Sequence, residues 1–216
     1  MISLSRVTLL TIGLWWSMIA GAASDAETTA VQARAADPKQ LVESITNSVL
    51  SQIQGHKEEM RRDPHSIYAL VETWVLPHFD FERMSRWVLG RYWNDATPAQ
   101  QTRFVEEFRT LLVRTYGVAL LDYTDEPIQF LPSRGDPAQG DVTVRTSIRH
   151  HGSTIVVESN MYRKDGAWKV YDVAIEGVSL VSNYRSSFAN DIRNNGMDGL
   201  LAKLAAMNRS SAGKAG

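Results

Sequence analysis

The dipeptide Asp165-Gly166 joins two alternating runs of residues, and it most constrains how this chain of 216 residues can fold. A two-residue type I′ turn needs positive φ at both central positions, and Asp-Gly tolerates that conformation. The runs on either side of the dipeptide are therefore expected to pair as an antiparallel hairpin. After the second run, Gly177 ends the alternation and a helical period begins. The sequence thus predicts a hairpin that leads directly into a helix.

The alternation of apolar and polar residues predicts an antiparallel meander in the second half of the chain, before the final helices. A short extended run covers 127–131, and longer strands cover 141–149 and 155–163, with a turn at 150–152 between them. Successive side chains of a strand point to opposite faces of the sheet. The residues assigned to the more apolar face are Val142, Val144, Thr146, Ile148, Ile155, Val157, Ser159, Met161, Tyr171, Val173 and Ile175.

The first half of the chain has the sequence signals of helices. Asp37-Pro38, Asp63-Pro64 and Thr97-Pro98 each place a capping residue before a proline at the first helical position. A shorter helix is expected near 81–89, ending at Gly90. Two helices, 178–195 and 197–207, should close the chain on either side of Gly196. The predicted fold is α+β, with a twisted antiparallel sheet of about four strands and a helical layer on one face.

The N-terminus has the organisation of a secretory signal. Arg6 precedes an apolar run over 9–20, and small residues follow it, so residues 1–23 are expected to be a cleaved signal peptide. We expect 24–36 to be a flexible leader, 37–208 a single domain and 209–216 a disordered tail. The chain has no cysteine, so the exported domain must be stable without disulfides. After removal of the signal the net charge is close to zero, which argues against a nucleic-acid partner.

Catalytic and metal-binding motifs are missing from the sequence. His150 and His151 are neighbours in an extended segment and should point to opposite sides, which favours a surface turn over a metal site. Glu158 and Asp172 are candidates for an acid pair in a pocket, but alternation places both on the less apolar face and favours a solvated or arginine-paired role. No catalytic residue, metal ligand or cofactor is therefore predicted.

The pattern leaves open whether the apolar residues form a solid core or line a cavity. The chain has 6 Trp, 7 Tyr and 6 Phe, which a well-filled core would accommodate. Thr146 and Ser159, however, are small polar residues on the apolar face, and they leave volume unfilled. An apolar cavity of that kind would suit an apolar ligand.

Five segments of the chain resemble the MlaC family, also known as toluene-tolerance proteins. They occur in the family's order, and the resemblance covers about residues 40 to 207. The segments are 87–93 (WVLGRYW), 96–104 (ATPAQQTRF), 111–116 (LLVRTY), 165–173 (DGAWKVYDV) and 176–188 (EGVSLVSNYRSSF).

This resemblance implies a soluble periplasmic lipid carrier rather than an enzyme. Members hold the acyl chains of a glycerophospholipid in an apolar pocket of a cone-like fold, between sheet and helices. They shuttle lipid between an outer-membrane lipoprotein complex and an inner-membrane ABC transporter with a hexameric lipid-binding subunit, which maintains outer-membrane lipid asymmetry. The bound ligand expected here is thus a phospholipid, with no cofactor. The alternatives to a phospholipid carrier are a carrier of a hopanoid-type lipid, or a cone-fold enzyme with an acid in an apolar pocket.

Under this resemblance the pocket has walls from both layers. Tyr171 and Val173 are expected to face Tyr184 and Phe188. Ser159 departs from the larger aromatic residue expected at its position. Arg91, Arg114 and Arg185 are candidates for the pocket mouth or a partner surface, with structural ion pairs as the alternative. The predicted lipid-contacting residues are Val88, Phe108, Leu112, Tyr116, Val144, Thr146, Ile148, Val157, Met161, Tyr171, Val173, Leu180, Tyr184 and Phe188.

Overall fold

The computed structural model describes residues 37–117, 120, 128–150 and 152–213. This part of the chain contains six α-helices and one five-stranded antiparallel sheet with the strand order β1-β2-β3-β4-β5. The predicted α+β class is confirmed. The helices are α1 (Pro38–Arg62), α2 (Pro64–Trp74), α3 (Phe81–Leu89), α4 (Arg91–Asp95), α5 (Pro98–Gly117) and α6 (Leu180–Gly213). The strands are β1 (Gln129–Asp136), β2 (Asp141–His150), β3 (Ser153–Lys164), β4 (Ala167–Ile175) and β5 (Val178–Ser179).

Local capping chemistry begins the helices where the sequence predicts. The Asp37 carboxylate accepts a hydrogen bond from the backbone N–H of Lys39 at 2.9 Å. At the start of α5, Thr97 and Gln100 form a reciprocal capping box: each side-chain oxygen accepts from the other residue's N–H, at 3.3 and 3.0 Å. Gly90 ends α3 with φ 55°. The short helix α4, directly after Gly90, was not predicted.

The sheet has five strands instead of about four, because the chain folds back sharply after β4. Glu176 and Gly177 have φ values of 52° and 79°, so they form a tight turn. The next two residues then pair with β4, Val178 with Ile175 and Ser179 with Ala174. Helix α6 therefore begins at Leu180, and the predicted start at Val178 is wrong by two residues.

A bulge in β4 changes which side chains share a face. Asn160 pairs with Asp172 and Met161 pairs with Val170, which leaves Tyr171 as an extra residue on β4. Val170 and Trp168 thereby join the side of the sheet that carries Met161, and they are buried with it. We call this side the apolar face, and the side that carries Asn160 and Tyr162 the polar face.

Tyr171 lies on the polar face. Its ring is 5.8 Å from the ring of Tyr162, and its hydroxyl group is 3.3 Å from the Asp141 carboxylate. Val173, in contrast, packs against the apolar cluster of the sheet. The prediction that Tyr171 and Val173 share one face is therefore wrong, because simple alternation does not count the extra residue of the bulge.

Three apolar clusters form the core of the described residues. The helical cluster draws on α3–α6, a smaller cluster joins α1 to α2, and the sheet cluster lies on the apolar face. Phe79, between α2 and α3, packs against both the helical and the sheet clusters. The buried members of the helical cluster are Met84, Val88, Leu89, Trp93, Phe104, Phe108, Leu111, Leu112, Val181, Phe188, Ile192, Leu200, Leu201 and Leu204. Those of the sheet cluster are Val142, Val144, Met161, Trp168 and Val170.

Helix α6 is interrupted and is longer than predicted. Gly196 has φ 70° and ψ 178°, which breaks the helical path at the predicted position. The second half then continues to Gly213, beyond the predicted end of the last helix at Met207. The predicted signal peptide and leader, 1–36, lie outside the described residues.

Candidate functional site

The apolar face of the sheet is covered at one end and half-covered at the other. At the covered end, Val142, Met161 and Trp168 are at most 1% exposed. Leu41 and Val42 of α1 and the ring of Phe79 pack over this end.

At the half-covered end, five aliphatic side chains form a continuous apolar strip across three strands. Ile148 pairs with Ile155, and Val157 pairs with Ile175. All five are only partly buried. The members of the apolar strip are Ile148, Ile155, Val157, Val173 and Ile175. A contiguous patch of half-buried aliphatic side chains is the kind of surface that an apolar ligand covers.

Two small polar residues adjoin the apolar strip. Thr146 is 8% exposed and donates its hydroxyl hydrogen to the backbone oxygen of Val157 at 3.3 Å, so its polar atom is satisfied within the sheet. Ser159 lies between Val144 and Val173 in the register. Its side chain is short and only partly buried.

The predicted lipid-contacting residues from the helices come together in the helical cluster. Val88, Phe108, Leu112 and Phe188 are buried there, and Tyr116 and Tyr184 pack against them. The ring of Tyr184 is 5.3 Å from the rings of both Phe108 and Phe188. Leu180, at the start of α6, is 8% exposed.

The predicted sheet residues form a separate group. Val144, Met161 and Val173 belong to the sheet cluster or pack against it, and Thr146, Ile148 and Val157 adjoin it. The structure therefore divides the predicted residues between the two layers of the fold. Tyr171 belongs to neither group.

The phenol of Tyr184 is a neutral, partly buried group. Burial raises the pKa of Tyr184 to about 12, and Tyr116 beside it contributes in the same direction. The hydroxyl group therefore stays protonated at physiological pH, and this part of the helical cluster is uncharged.

Tyr171 belongs instead to an arginine–aromatic cluster on the polar face. The Arg83 guanidinium carbon lies 3.8 Å from the centre of the Tyr162 ring, 4.9 Å from that of Tyr171 and 5.0 Å from that of Trp87. Such distances are within the range of cation–π attraction. The cluster fixes α3 against the sheet.

The two strand carboxylates have structural partners. Glu158 accepts from Arg145 Nε at 2.9 Å and from Arg134 Nη1 at 3.3 Å, which confirms its predicted pairing with arginine. Asp172 is only 6% exposed, so its predicted solvated or arginine-paired role is wrong. Its carboxylate accepts from the backbone N–H of Val181 at 3.1 Å and from the Asn160 amide at 3.4 Å. Asp172 thus caps the start of α6 from the other side of the tight turn. Asp172 and Val181 are nine residues apart in the chain, which is beyond the reach of the capping motifs that a sequence shows.

The three candidate arginines make intramolecular contacts. Arg91 donates to the Tyr92 hydroxyl group at 3.0 Å, and Arg114 donates to the backbone oxygen of Asn208. The side chain of Arg185 lies against Gly90. Within the described ranges, no group of three or more His, Cys, Asp or Glu side chains is placed to hold a metal ion. None of the described helices is long and apolar enough to span a membrane.

Most of the sequence matches a known family. A model of the MlaC protein family matches residues 43–206. The chain belongs to the MlaC family. The family resemblance predicted from the five segments is thereby confirmed.

Two named relatives have sequences similar to that of this chain. The chain is 27% identical to the toluene tolerance protein ttg2D of Pseudomonas putida over 162 residues, which cover 74% of this chain and 75% of that protein. It is 25% identical to the intermembrane phospholipid transport system binding protein MlaC of Haemophilus influenzae over 171 residues, which cover 77% and 80% of the two chains.

A solved structure has the same fold. The phospholipid-binding protein of Ralstonia solanacearum, in complex with a phospholipid, superposes with a TM-score of 0.76 at 30% sequence identity. The match covers 82% of this chain and 99% of that protein.

Proposed function

We propose that this chain is a periplasmic phospholipid carrier. The observation that carries the proposal is the structural match to the phospholipid-bound protein of Ralstonia solanacearum, because it covers 99% of that protein at 30% identity. The match therefore includes the whole fold that holds the lipid in the relative. The name of the Haemophilus influenzae relative, an intermembrane phospholipid transport system binding protein, supports the same role.

The acyl chains are proposed to lie between the apolar strip and the helical cluster. Each buried CH₂ group contributes about 0.8 kcal/mol, so two long acyl chains need an extended apolar surface. The half-buried residues Ile148, Val157 and Val173 supply that surface on the sheet. Tyr116 and Tyr184 are the partly buried members of the predicted set on the helical side.

The low solubility of phospholipids in water explains why a carrier is needed to move them between membranes. A phospholipid leaves a bilayer slowly, because its acyl chains would be exposed to water, and a carrier lowers that cost by covering them. We propose that this chain shuttles glycerophospholipid between an outer-membrane lipoprotein complex and an inner-membrane ABC transporter with a hexameric lipid-binding subunit. The transfer would maintain the lipid asymmetry of the outer membrane.

A transfer assay tests the carrier role. The purified chain is loaded with a fluorescent phospholipid and incubated with the ABC transporter and its hexameric subunit from the same bacterium, reconstituted in vesicles. We expect fluorescence to move from the chain to the vesicles, or from the vesicles to the lipid-free chain. Absence of transfer in both directions, with a chain that does bind the lipid, would contradict shuttling while leaving lipid binding intact.

A further inference from the structure

One large aromatic side chain of α3 is exposed. Trp87 is 43% exposed, whereas Val88 and Leu89, which follow it on the same helix, are at most 2% exposed. The indole is nevertheless held in place. Its ring meets the ring of Tyr171 edge-on at 5.0 Å, and the Arg83 guanidinium carbon lies 5.0 Å from its centre. An exposed ring that is already fixed loses little conformational entropy when a partner covers it.

Arginine side chains surround this indole. Two of them are on α3, and Arg91 begins α4 directly after Gly90. Arg185 of α6 reaches the same place, because its Nη2 atom lies 3.1 Å from the position that a Cβ atom on Gly90 would occupy. Gly90 is one helical turn after Trp87, so these groups are neighbours on the surface. We call this surface the basic patch, and its members are Arg83, Arg86, Trp87, Arg91 and Arg185.

Most of the positive charge of the basic patch is not neutralised. Arg86 pairs with the Glu82 carboxylate at 2.7 Å. Arg83, Arg91 and Arg185 form no ion pair with any residue in the described part of the chain. The whole chain has a net charge of −1, so the basic patch is a local concentration of positive charge. It therefore complements a surface that carries carboxylates.

The guanidinium groups of the basic patch are fixed by aromatic rings. Arg83 lies within 5.0 Å of the centres of three rings. Arg91 stacks on the Tyr92 ring at 4.9 Å, and Asp95 at the end of α4 attracts it without forming an ion pair. Fixed, planar guanidinium groups suit carboxylates, which they bind with two parallel hydrogen bonds. Membrane-docking surfaces combine several basic residues with several apolar side chains, and the basic patch has only one apolar member, so its chemistry favours a protein partner.

We propose that the basic patch binds an acidic segment of a partner protein, with carboxylates on Arg91 and Arg185 and an apolar side chain over Trp87. The proposal goes beyond lipid binding and rests on the proposed shuttle function, because a carrier must dock on the complexes that give and receive its cargo. Trp, Tyr and Arg are enriched among the residues that dominate the binding energy of protein interfaces. The basic patch contains two of these residue types, and Tyr171 adjoins it.

Binding to the two complexes named in the proposed function tests the basic patch. The lipid-loaded chain is titrated against the outer-membrane lipoprotein complex and against the hexameric lipid-binding subunit, both from the same bacterium. Arg91→Glu and Arg185→Glu are each expected to weaken binding to at least one of the two complexes about tenfold, and to reduce the dependence of that affinity on salt. Trp87→Ala is expected to weaken the same interaction about tenfold or more.

Two controls separate docking from folding and from general effects of charge. Arg109→Glu makes the same charge change at an exposed arginine of α5, beside Tyr68 and Glu72 of α2, and should bind like the wild type. Bound phospholipid per chain and thermal unfolding are measured for every variant. Arg91 and Arg185 are exposed, so their variants should keep normal loading and stability even where Trp87→Ala loses stability.

The outcomes distinguish this inference from the proposed function. If all three variants bind both complexes like Arg109→Glu, the basic patch is not an interface, although the carrier role stands. If the wild type binds neither complex, the proposed shuttle route fails and this assignment fails with it. Vesicles of phosphatidylglycerol are a further probe, to which the wild type is expected not to bind. Vesicle binding that is lost in Arg91→Glu and Arg185→Glu, with unchanged binding to both complexes, would overturn the proposal in favour of a membrane-docking surface.

Discussion

At the scale of single residues, Asp80 joins the helices to the sheet. It is 7% exposed, caps α3 by accepting from the Arg83 N–H at 3.0 Å, and accepts from Lys164 Nζ at 2.9 Å and from the Tyr162 hydroxyl group. Burial by itself would raise the pKa of Asp80, but these hydrogen bonds outweigh it and hold the pKa below the usual 3.8. The ionised carboxylate therefore stabilises the folded state.

This lowered pKa predicts a pH-dependent effect of Asp80→Asn. The stabilisation by the carboxylate is present above its unfolded-state pKa and is lost as the pH falls through the lower folded-state pKa. We expect the substitution to cost about 1–3 kcal/mol at pH 7, and the difference from wild type to shrink below a pH of about 4. Urea unfolding at several pH values measures it, with Asp95→Asn on the exposed end of α4 as the control. An unchanged difference at pH 3 would contradict the account.

Val173→Trp tests the proposed lipid-facing position on the sheet. Val173 is half-buried beside Ser159, so an indole should enter the space proposed for the acyl chains. We expect the amount of bound phospholipid per chain to fall severalfold, while overpacking costs about 1–3 kcal/mol of stability. Val178→Trp adds the same volume at a side chain that is 58% exposed, and should keep normal loading. Equal loading of the two variants would mean that Val173 does not contact the lipid.

Residue-scale predictions succeeded where the determining contact is local in sequence. The caps at Asp37 and Thr97 depend on groups two or three residues away, and both form as expected. The side of the sheet on which Tyr171 lies depends on the pairing of β4 with Asn160 and Met161. That pairing is a tertiary property, so alternation alone misplaced the side chain.

At the scale of elements, the junction of α3 and α4 depends on a glycine. Gly90 has φ 55° and ψ −123°, and a Cβ atom there would lie 3.1 Å from the Arg185 guanidinium. Helices α3 and α4 can follow each other directly because the glycine between them adopts a backbone conformation that is strained for other residues. The strand β5 is a comparable case, since two positive φ values at Glu176 and Gly177 create it. The sequence showed a break at Gly177 but not the direction in which the chain turned.

Gly90→Ala is therefore expected to destabilise the helical cluster. Backbone strain and the contact with Arg185 should together cost about 1–3 kcal/mol. The control is Gly55→Ala in α1, where a Cβ atom would meet nothing within 4 Å and the helical conformation suits alanine. That change should stabilise the protein by about 0.5–1 kcal/mol. Thermal unfolding of the two variants should thus shift in opposite directions, and a shift in the same direction would refute the assigned role of Gly90.

At the scale of the whole molecule, the fold class and the family were predictable, whereas the arrangement of the candidate site was only partly so. The helical residues Phe108, Tyr184 and Phe188 come together because one helical period places them on buried faces. The half-covered end of the apolar face depends on how the helices pack against the sheet. That feature became visible only in three dimensions.

Lipid extraction from the purified chain tests the central claim most directly. The chain is expressed in a Gram-negative host, purified without detergent, extracted with organic solvent and examined by mass spectrometry. We predict about one glycerophospholipid per chain, and a marked loss of that lipid in Val173→Trp. A hopanoid-type lipid in the extract, in place of a glycerophospholipid, would mean that the chain carries a different lipid from the one proposed. If no lipid co-purifies and none binds on incubation with phospholipid vesicles, the chain is not a phospholipid carrier.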